Sequence, residues 1–494
     1  LSASEVSIAP VDEPDPRRFR ALGIIAIAQL MIVLDASVVT IALPSAQRAL
    51  HISTANRQWA LTAYTLAFGG LLLLGGRIAD LLGRKRVFIV SLIGFAGASA
   101  LGGLAVDGAM LFAARGLQGM FAALMAPASL SMLTVTFTEP KERAMAFGVY
   151  GGISGGGAAI GLVLGGALTE YASWRWTLLI NIPIAVFAAV AATRELKESR
   201  SEHRERADVP GALTSTLGLV ALVYGFTKAA TDGWSSGTTL GLLLVGVALL
   251  GVFVAVERAS THPLLPLRVV LDRNRGGSFL ASALVGTALF GTFLLLTYYF
   301  QATLHYSALK TGFTFLPISG GIIVSAGLAS QLLPRFGPRR LMVFGLALGI
   351  VGIAGFIRLG VASDFVGGVL PPELLFSLGL GFVFVPFSST ALIGVEERDA
   401  GVASALVNTT QQVGGSLGTA LLNTVATSAT ASYLVTHGRG AVARGLVHGY
   451  AMAFGVSAAI LAVAFVTTLL FVRGEGPRRV RDAKGAFALA EIPG

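Results

Sequence analysis

Cysteine is absent from all 494 residues, which excludes disulfides, thiolate chemistry and cysteine-held metals. Charge is scarce: 13% of residues are Asp, Glu, Lys or Arg, against the ~25% usual in soluble domains. No GxxxxGK[ST] phosphate loop or HExxH occurs, and the histidines fall in loops or at edges of apolar runs. ATP hydrolysis, a catalytic centre, a metal site and a resident cofactor therefore have no support in the sequence. The first 20 residues are polar with no signal-peptide core, so the first apolar run is expected to stay in the chain as a helix.

Long apolar runs fill the chain instead. Hydrophobic residues make up 54% and the mean hydropathy is +0.76. A bilayer core needs ~20 apolar residues per spanning helix. Only helices and closed barrels satisfy their backbone hydrogen bonds in lipid, and these runs are too long for barrel strands. The expected fold class is an all-α polytopic membrane protein of fourteen spans. With both termini on one side, 27 Lys and Arg fall in the segments of that side, 8 in the opposite loops, and Arg115 within a span. That bias places both termini in the cytoplasm by the positive-inside rule. The net charge of +10 is thus a topology signal rather than a nucleic-acid footprint.

A faint repeat is present. Gly83-Arg84-Lys85-Arg86-Val87-Phe88 follows the second span, and Gly337-Pro338-Arg339-Arg340-Leu341-Met342 follows the tenth. Each is the second loop of a six-span block if spans seven and eight are an insertion. Duplicated halves around a midplane site are a transporter architecture. The expected divisions are a cytoplasmic tail at 1–20, a six-helix bundle at 21–193, a charged linker with two extra helices at 194–275, a second six-helix bundle at 276–472 and a cytoplasmic tail at 473–494.

Two ionisable residues lie well inside spans, Asp35 in the first and Arg115 in the fourth. Such groups cost at least ~2.5–3.5 kcal/mol to insert and are functional by default. Asp35 lies about 12 Å, and Arg115 about 9 Å, below the same face, counted at 1.5 Å per residue. If their helices are neighbours, the two can pair in one state and separate in another. Burial disfavours a charged carboxylate and a guanidinium favours it, so moving Arg115 would let Asp35 take and release a proton. A static structural pair is the alternative. The last six spans show no clearly buried acid, and two like charges in a low-dielectric cavity need two counter-charges. A weak preference for dications is therefore expected.

The segment Gly76-Arg77-Ile78-Ala79-Asp80-Leu81-Leu82-Gly83-Arg84-Lys85-Arg86 is the most specific local signal. Gly76 and Gly83 permit close packing and a tight turn. Asp80 can accept from a neighbouring helix N-terminus or a basic residue, and Arg84, Lys85 and Arg86 pin the loop to the cytoplasmic face. In the fifth span Gly157, Gly161 and Gly165, with Gly166 beside them, line one face at every fourth residue. Such a face is either a flexible gate against the eighth or eleventh span or a static tight interface. Asn181 is a substrate contact or an interhelical bond. Asn408, Gln411 and Gln412 face a cavity or a partner helix. Phe290, Phe293 and Phe384 are candidates for an aromatic cavity, with core packing or lipid contact as the alternative for them and for neighbouring aromatics.

In this order the motifs resemble the fourteen-helix drug:proton antiporter branch of the major facilitator superfamily, over nearly the whole chain. Leu34-Asp35-Ala36-Ser37-Val38-Val39-Thr40-Ile41-Ala42-Leu43-Pro44 resembles its helix 1 motif, Gly76 to Arg86 its helix 2–3 signature, and Arg115-Gly116-Leu117-Gln118-Gly119 its helix 4 motif. Gly161 to Gly166 is similar to the helix 5 antiporter motif. Trp174-Arg175-Trp176, Asn181-Ile182-Pro183, Gly233-Trp234 and Pro263-Leu264-Leu265-Pro266-Leu267 add further matches. Three positions depart from the pattern: Thr40 stands where Asn is usual, Leu81 where a basic residue is frequent, and Leu162 where the antiporter motif has Pro.

The resemblance implies two six-helix bundles around a central cavity, two peripheral helices, alternating access and Asp35 near Arg115. It implies a monomer in the bacterial cytoplasmic membrane whose partners are a small-molecule substrate, protons and lipid. The expected function is proton-coupled export of hydrophobic or cationic drug-like molecules. A dedicated exporter of one metabolite or antibiotic, and a lipid or lipid-precursor translocator, are the competing expectations.

Overall fold

The computed structural model describes residues 17–137, 139–199, 208–260, 263–392, 395 and 400–473. Most of the two expected tails, and part of the expected linker, lie outside them. The described residues contain helices and no strand. Thirteen of the helices are long and apolar enough to cross a membrane. The first half comprises α1 (Arg18–Ala49), α2 (Trp59–Leu82), α3 (Arg84–Gly103), α4 (Gly108–Thr136), α5 (Pro140–Tyr171) and α6 (Trp176–Glu195). Then come α7 (Val209–Asp232) and α8 (Gly237–Ala259). The second half comprises α9 (Arg273–Tyr298), α10 (Ala308–Phe336), α11 (Pro338–Phe356), α12 (Leu370–Leu392), α13 (Ala400–His437) and α14 (Val442–Phe471). The helix outside the thirteen is α13, at 38 residues longer than any other. It falls short because polar residues recur along its length, from Asn408, Gln411 and Gln412 to Thr419, Asn423, Thr424 and Thr427.

Packing separates two six-helix bundles. In the first, α1 packs on α5 and α6, and α4 on α2 and α3; in the second, α9 packs on α13 and α14, and α12 on α10 and α11. The pair α7–α8 stands outside both, with α7 touching α2 and α13. The bundles meet along two seams, α2 with α13 and α5 with α10.

The repeat in the sequence is a repeat in the backbone. Gly83 (φ +107°) ends α2 and opens α3, and Gly337 (φ +74°) ends α10 and opens α11. Two residues past each glycine a basic side chain reaches the last helix of its own bundle. Lys85 Nζ donates to Leu196 O at 2.6 Å and Thr193 O at 2.8 Å, and Arg339 Nη2 donates to Leu469 O at 2.7 Å. Carbonyls at a helix C-terminus lack partners within the helix and attract cations. The turn after α2 is braced further. Glu198 accepts from the Lys85 and Arg86 amides at 3.1 and 3.2 Å, which caps α3, and Asp80 Oδ1 accepts from Arg84 Nη2 at 2.9 Å.

The glycine face of α5 packs on α1 and α10, not on α8 or α11 as one expectation had it. A Cβ at Gly157 would press on Val33, at Gly161 on Ser37 and at Gly165 on the backbone of Val38; at Gly166 it would strike Ala308 and Leu309. The second bundle repeats the device: Gly414 and Gly418 of α13 sit against the backbone of Ala283 and Thr287 on α9. Small residues at i and i+4 let two backbones approach without a driving force from water, which is how helices associate in lipid.

Candidate functional site

The pairing begins with α1 and α4. Asp35 and Arg115 are each 1% exposed, and Arg115 Nη1 lies 2.5 Å from Asp35 Oδ2. Neither is served by the other alone. Asp35 Oδ1 accepts from Gln118 Nε2 at 2.9 Å and from Asn181 Nδ2 at 2.7 Å. Arg115 Nε donates to Ala60 O at 2.9 Å, its Nη1 also donates to Gln118 Oε1 at 2.7 Å, and its guanidinium lies 4.5 Å from the Tyr64 ring centre. Gln118 Nε2 reaches Ser99 Oγ at 2.7 Å as well. A buried ion pair persists when its leftover donors and acceptors find partners, and residues from five helices of one bundle supply them to both Asp35 oxygens and to Arg115 Nε and Nη1. Asn181, expected at the cavity, belongs here instead: it is fully buried against Asp35 and absent from the cavity wall.

Arg115 and Tyr64 are also the deep end of a cavity of about 1150 Å³ between the bundles. Phe290 and Phe293 of α9, Phe384 of α12 and Asn408, Gln411 and Gln412 of α13 line it. From α1 come Ser37 and Thr40, whose hydroxyls turn back to carbonyls of their own helix. The wall runs to Gly76, Arg77, Asp80 and Arg268, on the side of the α2–α3 turn. Leu162, at the position of the motif proline, is 1% exposed, and its carbonyl packs beneath Gly312 of α10.

The opposite side is shut by a polar layer that sequence reasoning did not single out. Arg57 Nε donates to Asn423 Oδ1 at 2.8 Å, and Asn423 Nδ2 donates to Gln58 Oε1 at 2.9 Å and Thr54 O at 3.0 Å. The Thr62 and Thr419 hydroxyls meet at 2.7 Å, and Gln301 Nε2 donates to Ile41 O at 2.9 Å. Each of these bonds crosses from one bundle to the other. Arg57 also stacks 3.6 Å from the Tyr298 ring centre. The available signal was a set of amides and hydroxyls at the same ends of α2 and α13.

One expectation about acids is corrected. Glu373 in the first turn of α12 is fully buried, and neither carboxylate oxygen has a hydrogen-bond partner. The sequence hides this because the residue falls near a span end, where acids normally reach water. Glu373 is not on the cavity wall, so it offers a substrate no counter-charge in this state.

Two bundles of apolar helices, a cavity between them open toward one side, and a buried ion pair at its deep end define a membrane transport protein. The Major Facilitator Superfamily model matches residues 25–419, and the chain belongs to that superfamily. It is a multi-pass membrane transporter of small molecules. A puromycin resistance protein of Streptomyces alboniger is 49% identical over 96% of this chain and 96% of its own length. The cephamycin export protein CmcT of Amycolatopsis lactamdurans is 38% identical over 91% of this chain and 92% of its own. A solved bacterial homologue of the human lysosomal transporter Spinster superposes with a TM-score of 0.65 at 14% identity, over 94% of this chain and 100% of that one, a likeness of fold alone.

Proposed function

We propose that this transporter is a proton-coupled antiporter that exports a hydrophobic, antibiotic-like molecule by alternating access, with the bundles 21–193 and 276–472 rocking about the cavity. The observation that carries the reading is the Asp35–Arg115 pair, buried yet one side chain away from the cavity. With the charge bias of the loops placing both termini and the α2–α3 turn in the cytoplasm, the cavity faces inward and receives substrate while Asp35 is ionised. Outward opening brings water to the pair, a proton converts Asp35 to its neutral form, and return to the inward state delivers that proton to the cytoplasm. Gly76, Asp80, Gly83 and Arg84, with the α5 glycines, act as the joints of this motion.

The likeness to resistance and export proteins of antibiotic-associated bacteria favours the second expectation, a dedicated exporter of one antibiotic, over a lipid translocator. The test is transport in proteoliposomes under an imposed pH gradient. Asp35→Asn, which keeps shape and hydrogen-bonding capacity, should abolish gradient-driven transport while leaving the protein folded and monodisperse. Undiminished gradient-driven transport by that variant sinks the coupling.

A further inference from the structure

The sequence left the substrate as hydrophobic or cationic; the cavity wall separates the two. Among its described residues the charged side chains are Arg77, Asp80, Arg115 and Arg268. The carboxylate of Asp80 is at the mouth and already accepts two bonds from Arg84, at 2.9 and 3.0 Å. Asp35 stands behind Arg115, 1% exposed, with both oxygens occupied by Arg115, Gln118 and Asn181. Beyond Asp80 at the mouth, a permanent cation moving inward thus meets a guanidinium and no available carboxylate. Taking a charge out of water without a partner is costly. Aromatic faces attract cations, but here one face of Tyr64 is covered by Arg115 at 4.5 Å and one face of Phe293 by Phe315 at 4.9 Å.

The same wall is well supplied with uncharged polar groups. Asn408, Gln411 and Gln412 line it along α13. Arg115 uses Nε and Nη1 on Ala60, Asp35 and Gln118, while Nη2 makes no hydrogen bond among the described residues. That nitrogen is a donor at the deep end of the cavity, on a guanidinium already neutralised by Asp35. A donor so placed suits a carbonyl or ether oxygen of an uncharged molecule, and the amide residues of α13 give the wall neutral polarity for the rest of it.

We propose that the cavity selects uncharged aromatic molecules bearing hydrogen-bond acceptors, held between Arg115 and the α13 amides, and discriminates against permanent cations. The proposal rests on the transport reading only for its meaning, because it is tested by binding. Three dansyl amides that share one fluorophore and differ in a terminal group serve as probes: a methyl ketone, a tert-butyl group and a trimethylammonium. Their affinities are measured by fluorescence titration of the purified full chain in detergent at neutral pH.

The ketone should bind tightest, the tert-butyl probe next and the trimethylammonium about ten-fold or more weaker than the ketone. Asn408→Asp and Gln412→Glu, each adding a carboxylate to the wall, should strengthen trimethylammonium binding about ten-fold and leave the ketone no stronger. Tightest binding of the trimethylammonium by the unaltered chain overturns the proposal. So does equal binding of ketone and tert-butyl probes, or binding of none. Because no gradient is present, the order of affinities is independent of coupling. Its persistence alongside failed gradient-driven transport would remove the antiport reading and keep the selectivity.

Discussion

Asp35, 1% exposed, accepts three hydrogen bonds, and each donor has its own reason to stay. Arg115 is tethered by Ala60 O, Gln118 by Ser99, and Asn181 by its place where α6 is interrupted at Ile180. Hydrogen bonds to a charged carboxylate favour that form over the protonated one, each contributing about 1.5–3 kcal/mol. Removing one donor should therefore weaken the hold on the ionised carboxylate and loosen the cluster. In Asn181→Ala, gradient-driven transport should fall about ten-fold or more while the protein stays folded, in line with the loss of one such bond. Unchanged transport would reduce Asn181 to packing. Arg115→Ala removes the counter-ion outright and should abolish the pH dependence altogether, which the same assay reads. Of this cluster, Asp35 and Arg115 were legible because charge inside an apolar run is rare and their depths match. Gln118 and Ser99 were not, since amides and hydroxyls occur in many spans and nothing linear says which ones face a common point.

At the scale of the helix, much of the fold was readable. Apolar runs gave the spans, and the paired Gly-basic loops gave the duplication, because turn chemistry and membrane burial are both local. Which faces touch was less readable. The fourfold spacing of Gly157, Gly161 and Gly165 announced an interface but not its partner, and Gly414 and Gly418 went unnoticed amid the polar stretch of α13. The partner matters for stability. At Gly165 an added Cβ meets the Cα and carbonyl oxygen of Val38 at 2.8 Å, and backbone has no free end to swing away. Gly165→Ala should cost about 1–3 kcal/mol through overpacking and lower the thermal unfolding temperature in detergent. Gly152 lies on the same helix, exposed, with nothing within 4 Å of the added carbon. There the replacement removes a helix-interior glycine and should stabilise by up to about 1 kcal/mol. Equal effects of the two substitutions would mean that the α1–α5 contact is not tight.

Across the whole molecule the two sides of the bundle interface differ in what holds them. On the cavity side the bundles are parted, and on the far side Asn423 alone joins Arg57, Gln58 and Thr54 of the first bundle to α13. The extra helices lean on that same closed side. Thr227 of α7 accepts from Gln58 Nε2 at 3.0 Å, and Thr424 of α13 donates to Phe226 O at 2.8 Å, so α7 bridges both bundles at their junction. The proposed alternating access requires this layer to open. Each neutral bond contributes only about 0.5–1.5 kcal/mol net, which keeps the closed state favoured but reversible. Asn423→Leu should shift the balance toward outward opening, since losing about 1.4 kcal/mol changes a two-state ratio ten-fold. A chain without cysteine makes this directly measurable. Thr62, fully buried in the layer, becomes a reporter as Thr62→Cys. A membrane-impermeant maleimide added to the outer face should label it about ten-fold faster when Asn423→Leu is also present. Equal rates in the two proteins would show that Asn423 does not hold this side shut, and the barrier to opening would then lie in the Arg57–Tyr298 stack and the Gln301–Ile41 bond.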